Sequence, residues 1–88
     1  MRLDKYLKVS RIIKRRTVSK DIINFGQVYL NNKKAKPSSE VKIDDTITLL
    51  LGEKEITVKV VALNEKVKKE EAYTLYKIIN EKDITPSI

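Results

Sequence analysis

Residues 46–63 read TITLLLGEKEITVKVVAL, and their reading decides the kind of fold this chain can make. Two runs rich in β-branched and aliphatic residues, TITLLL and EITVKVVAL, flank a short GEK stretch. Apolar β-forming runs joined by a few residues that include glycine are the signature of a β-hairpin. In the second run Val58 and Val60 alternate with Thr57 and Lys59, so the valines are expected to face inward and their neighbours outward.

Upstream, Val28 and Leu30 alternate around Tyr29, the two-residue period of another strand. Asn31-Asn32 marks a turn, and Pro37 restricts Lys36 to an extended conformation. PSSEVKIDD, at 37–45, reads as a polar loop whose Asp44-Asp45 pair suits a turn before the hairpin.

The opening RLDKYLK, at 2–8, reads as a short helix: Leu3 and Leu7 share a face with Tyr6 beside them. Asp4 lies in its first turn, where a negative charge favours the helix dipole or a salt bridge with a nearby arginine; a second reading has Asp4 orienting a functional arginine. RIIKRRT, at 11–17, leads into a second helix, TVSKDIINF, with Thr17 as N-cap and Gly26 as the stop. Val18, Ile22 and Phe25 recur at i, i+4 and i+7, predicting a buried stripe widened by Ile23. Near the C-terminus KKEEAYTLYKIINE carries Ala72, Leu75, Tyr76 and Ile79 at i, i+3, i+4 and i+7, which predicts an amphipathic helix packed on the sheet. ITPSI, at 84–88, is expected to fray.

The expected fold is therefore α+β: two N-terminal helices packed on a small, mainly antiparallel β-sheet, with a C-terminal helix. It is read as one domain, with a core motif over 1–50, completing strands over 51–64, and the helix and tail over 65–88. Eighty-eight residues suffice for one domain with a modest core.

Composition narrows the chemistry. The chain has no cysteine and no histidine, which removes disulfides, the usual zinc sites and imidazole acid–base catalysis. With only Gly26 and Gly52 there is neither a P-loop nor a dinucleotide fingerprint. The serines lack an imidazole base, and a lysine base such as Lys14 beside Ser10 would need burial, not a cationic neighbourhood. No catalytic residue, cofactor or metal is expected. Apolar runs are far shorter than the roughly 20 residues of a membrane helix, and the charged N-terminus lacks a signal-peptide core. A cytoplasmic protein without membrane contact is the expectation.

The net charge of +7 is unevenly placed. Residues 1–36 hold Arg2, Lys5, Lys8, Arg11, Lys14, Arg15, Arg16, Lys20, Lys33, Lys34 and Lys36 against only Asp4 and Asp21, while the remainder is nearly balanced. Pairing the two helices antiparallel, apolar stripes inward, is expected to bring these cations onto one outer surface. Such asymmetry points to a polyanion, most often nucleic acid. Tyr6, Phe25 and Tyr76 fall on predicted core faces, leaving Tyr29 and Tyr73 as a thin stacking platform. Backbone and shape recognition of folded RNA fits better than base stacking, while charge alone leaves DNA open.

RLDKYL at 2–7, Ser10-Arg11, KRRT at 14–17, Lys20, Gly26 and VYLNNKKAKPS at 28–38 together resemble the small RNA-binding domain first described in ribosomal small-subunit protein four. The opening and the tail KKEEAYTLYKI are similar to short, free-standing members of that superfamily acting in ribosome-associated quality control, relatives of the fifteen-kilodalton heat-shock RNA-binding protein. The resemblance implies a non-catalytic protein that binds large ribosomal subunits obstructed by a peptidyl-tRNA. It implies contacts with large-subunit ribosomal RNA and that tRNA, beside a factor that recruits alanyl-tRNA for alanine tailing. Away from the ribosome a monomer is expected. The family's RNA-contacting motif falls on Arg2, Asp4, Arg11, Lys14, Arg15, Arg16 and Lys20, with Lys34 and Lys36 on the loop after the first strand. Lys5 and Lys8 join the RNA-binding set by charge. Where many relatives carry Asn-Gly, this chain has NNKKAK. Competing readings are a DNA-binding module inserting the second helix into a groove, with Asn24 as base reader, and a protein adaptor docking through its C-terminal helix.

Overall fold

The computed structural model describes residues 1–13 and 16–83, with the backbone alone at 16 and 17. The elements are α1 (Leu3–Val9), α2 (Arg16–Asn24), β1 (Val28–Leu30), β2 (Lys33–Lys34), β3 (Thr46–Leu51), β4 (Lys54–Val60), a 3₁₀ segment (Lys69–Leu75) and β5 (Tyr76–Asp83). The strands form one antiparallel sheet in the order β2-β1-β3-β4-β5. The architecture is thus α+β with a five-stranded sheet.

The hairpin forms as its composition dictates. Leu51 pairs with Lys54 across Gly52-Glu53. Gly52 has φ +60°, and a two-residue hairpin loop with positive φ at its first position is where glycine costs least. Ile47 pairs with Val58 and Leu49 with Ile56. Ile47, Leu49, Val58 and Val60 are buried, whereas the Thr48 and Thr57 hydroxyls meet at 3.1 Å on the other face. The β1–β2 turn closes without glycine: Asn31 and Asn32 take φ +51° and +68°, and asparagine tolerates that region best after glycine. The Asn31 side chain anchors the turn by accepting from Thr46 N at 2.9 Å and donating to Asp45 Oδ1 at 3.0 Å.

Leu3, Tyr6 and Leu7 of α1 meet Ile23 of α2 and the inner face of the sheet in one core. The stripe predicted on α2 is displaced. Ser19 and Ile23 are buried and Ile22 is half-buried, but Val18 is 41% and Phe25 79% exposed. The helix ends at Asn24, so Phe25 lies past its last turn and helical periodicity no longer places it. Because α2 starts at Arg16, Thr17 lies inside the helix and not at its cap.

The C-terminal segment departs most from expectation. Only Lys69–Leu75 is helical, as a 3₁₀ segment, and from Tyr76 the chain is strand. Ala72 and Leu75 are buried as predicted, but Ile79 is 49% exposed. The register opposite β4 skips Ile79 between Ile78 and Asn80, making it the extra residue of a bulge. A helix here would leave the outer edge of β4 without partners for its N–H and C=O groups; β5 supplies them. Tyr76, Ile78 and Ile79 are strand-forming residues, and Tyr76 and Ile78 also follow the two-residue period. The short apolar run fitted both templates, and edge pairing decided between them. The frayed tail expected over 84–88 lies outside the described residues.

Tyr6 is fully buried, and its hydroxyl donates to Leu75 O at 2.6 Å, pinning α1 to the 3₁₀ segment. Burial, reinforced by Tyr76, pushes the Tyr6 phenol well above its usual value, so the native state keeps that proton where the unfolded chain releases it. The sign follows: the stabilisation is complete below about pH 10, the ordinary phenol value, and is lost as pH rises beyond it. Leu75 O also accepts from Val61 N at 2.9 Å, so Tyr6→Phe is expected to cost only about 1 kcal/mol. Urea unfolding is also expected to show a shallower alkaline loss of stability in Tyr6→Phe than in the wild type; parallel alkaline curves contradict this account.

Candidate nucleic-acid interface

The basic residues are gathered by backbone hydrogen bonds between distant segments. Leu3 N donates to Ser39 O at 2.8 Å, Asp4 N to Pro37 O at 3.2 Å, and Val41 N to Met1 O at 2.9 Å. Arg2 forms an isolated antiparallel bridge with Glu40. The start of α1 is therefore laced to residues 37–41, directly after Lys36. That loop is itself held as a turn: Ser39 Oγ accepts from Lys36 N at 2.9 Å, and Ser39 N donates to Lys36 O at 2.9 Å.

Asp4 is the buried charge of this region, with no exposed surface. Its Oδ1 accepts from Lys5 N at 2.8 Å and from Arg2 Nε at 3.2 Å, and its Oδ2 accepts from an Arg2 terminal nitrogen at 3.3 Å. The forked contact fixes the plane of the Arg2 guanidinium, while the Arg2 side chain stays 51% exposed. A guanidinium clamped on one edge still presents its remaining N–H groups to a phosphate. Asp4 thus sits in the first turn of α1 and forms the expected salt bridge with a nearby arginine.

A groove lined by Ile23, Asn24, Lys34, Ala35 and Lys36 joins β2 and its loop to the C-terminal half of α2. Gly26 makes this approach possible: it has φ +78°, and a Cβ there would lie 2.7 Å from Lys34 Cε. Lys20 is exposed one turn before Asn24 on α2. Among the described residues, no carboxylate lies within 4 Å of the Lys20, Lys34 or Lys36 ammonium groups.

Other predicted cations go elsewhere. Lys5 pairs with Glu65 at 3.1 Å, so its charge is partly answered within the fold. Lys8 is exposed on the outer side of α1. Arg11, at φ +61°, borders an apolar trough formed with Ile12, Leu51, Ile56, Val58, Tyr76 and Ile78. That trough lies toward β5, the sheet edge opposite β2; at about 4.8 Å per strand spacing the two edges are about 19 Å apart. Lys34 and Lys36 thus lie in the groove beside α2, the Arg2 segment is laced to the loop after Lys36, and Arg11 borders the trough over β3, β4 and β5. Lys14 and Arg15 lie outside the described residues, as does the side chain of Arg16. Sequence reasoning placed Phe25 in the core and so missed an exposed aromatic beside this patch; the signal was its position immediately before the helix-stopping Gly26.

A small antiparallel sheet carrying two N-terminal helices, with a basic surface at the junction of α1, α2 and β2, defines the class. The chain belongs to the S4 domain family, whose pattern matches residues 1–47. Its relatives include two proteins named RQC P-site tRNA stabilizing factor. That of Bacillus subtilis (strain 168) is 48% identical over 84 residues, covering 96% of this chain and 98% of the relative. That of Streptococcus pneumoniae (strain ATCC BAA-255 / R6) is 44% identical over 88 residues, covering 100% of both chains. Among solved structures, a trimeric structure of Vibrio cholerae heat shock protein 15 superposes with a TM-score of 0.82 at 34% identity, covering 89% of this chain and 80% of that one.

Replacing Asp4 by Asn removes the charge that clamps Arg2. The expected result is a loss of about 1–3 kcal/mol in unfolding free energy, the range for weakening a buried charge-assisted hydrogen bond. RNA affinity is expected to fall as well, because Arg2 loses its fixed orientation. Chemical denaturation together with filter binding checks both; unchanged values in each leave Asp4 without the role described.

Proposed function

We propose that this chain is a non-catalytic RNA-binding protein that acts on obstructed large ribosomal subunits. In this reading it grips large-subunit ribosomal RNA and the peptidyl-tRNA, holding that tRNA in the peptidyl site. It works beside the factor that recruits alanyl-tRNA, so that the stalled chain receives its alanine tail. A protein with this task operates in the cytoplasm on the ribosome. What supports the reading is Lys34 and Lys36 lining a groove with the C-terminal half of α2, the helix that also carries exposed Lys20, and the lacing of the Arg2 segment to the loop that follows Lys36. The names of relatives matched over nearly their whole length support the same reading. Among the described residues no group of His, Cys, Asp or Glu is placed to hold a metal, and no helix is long and apolar enough to cross a membrane.

Arginine and lysine have different parts here. Arg2, held flat by Asp4, suits a bidentate grip on one phosphate, whereas the lysines are mobile point charges that follow a backbone of variable path. Such a surface recognises the spacing of phosphates more than base identity.

Binding to large subunits carrying peptidyl-tRNA is expected to weaken steeply with salt. For about five neutralised phosphates the log–log slope is about −4. The double substitution Arg2→Ala, Lys34→Ala is expected to lower affinity at least tenfold and to flatten that slope by about 1–2. Lys82→Ala, on β5 and paired with Glu55 at 3.0 Å, is expected to change neither. A flat salt dependence, or equal losses from the two variants, overturns the reading.

A further inference from the structure

Phe25 is the most exposed of the large apolar side chains among the described residues, at 79%. It lies past the end of α2, where Phe25 N donates to Asp21 O at 2.9 Å and Gly26 N to Ile23 O at 3.0 Å. Its place in the fold is thus fixed by backbone bonds and not by packing of the ring. The next residue, Gly26, is where the stem of Lys34 crosses: a Cβ on Gly26 would lie 3.0 Å from the Lys34 ammonium nitrogen. Asn24, on the other side of Phe25 in sequence, lines the groove that also holds Lys34 and Lys36. Asp21, the one carboxylate on α2, is exposed one turn earlier, and among the described residues no carboxylate lies within 4 Å of the Lys34 ammonium group.

We infer that Phe25 is a stacking platform for an unpaired RNA base, with Lys34 and Lys36 holding the phosphates beside it. The inference rests on the RNA-binding reading above and deepens it from backbone recognition to a preference for RNA with an unpaired nucleotide at this end of α2. The physical case is one of combination. Covering an exposed aromatic ring removes apolar surface from water and is favourable. Every nucleobase offers a face to cover it, and a base arrives with phosphates that need cations within a few ångströms. A hydrophobic protein partner would cover the ring equally well, but it would have to desolvate Lys34 and Lys36 without compensation. A polyanion supplies that compensation.

The test compares two RNA hairpins, one blunt and one with an unpaired uridine tail, by fluorescence anisotropy at low salt. Phe25→Ala and Phe25→Leu are expected to bind the tailed hairpin about tenfold more weakly than the wild type, as loss of one stacked base predicts. Both are expected to bind the blunt hairpin unchanged, which also shows that they are folded. Phe25→Trp is expected to keep full affinity. Since the natural chain contains no tryptophan, the emission of this variant reports position 25 alone, and quenching by the tailed hairpin is expected, with none by the blunt one. Undiminished binding of the tailed hairpin by Phe25→Ala, equal losses on both hairpins, or unquenched tryptophan while anisotropy shows bound RNA overturns the inference and leaves the backbone-binding reading standing. Failure of the wild type to bind either hairpin removes both.

Discussion

The lacing of residues 1–4 onto residues 37–41 is the constraint from which the functional surface follows. It is made of main-chain hydrogen bonds, so it depends on Leu3 and Asp4 presenting their N–H groups to carbonyls of a loop far away in sequence, and on Val41 of that loop donating back to Met1 O. Once that contact is made, Asp4 is sealed from water and needs cationic or N–H partners, because an isolated buried carboxylate is prohibitively costly. Arg2 and the Lys5 amide answer that need. A demand of the interior thus holds a guanidinium at the surface, and the orientation of Arg2 follows from the stability of the fold.

The rest of the scaffold compensates for small size. With no disulfide available, the core relies on one sheet face covered by two short helices. α1 has seven residues and α2 nine, lengths that are marginal for isolated helices in water. Packing against the sheet stabilises them, and the Tyr6 hydroxyl adds a fixed point 69 residues away along the chain. The far edge of the sheet is completed by β5, whose bulge and charged side chains also discourage pairing with another molecule.

Charge and apolar surface are arranged so that neither weakens the other. Gly26 lets the end of the exposed Lys34 side chain, its ammonium group included, lie close over the backbone. Lys5 is drawn away to Glu65, and Arg11 turns toward the β5 side of the sheet. Phe25, next to Gly26 in sequence, adds an apolar face to a surface otherwise built of charge and amide groups.

The strands β1, β3 and β4, the face of α1, the stop at Gly26 and the concentration of positive charge before residue 37 were all legible in the sequence. Each depends on local rules: period-two alternation, leucines four apart, the left-handed preference of glycine, and simple counting. Three features were decided by tertiary structure alone. Residues 76–83 became a strand because β4 had an open edge, which no local pattern records. Phe25 came to lie outside because the helix ended one residue earlier than its apolar spacing implied, and packing against α1 and the sheet buried Ser19 beside the expected Ile23 while leaving Val18 and Phe25 exposed. Arg11 borders a trough over β3, β4 and β5 while Lys34 sits on β2 beside α2, placements that follow from the strand order and that no local pattern records. Sequence spacing specifies which side chains share a local face, but the position of that face relative to distant segments depends on which main-chain groups must be hydrogen-bonded and which surfaces must be covered once the whole chain is compact.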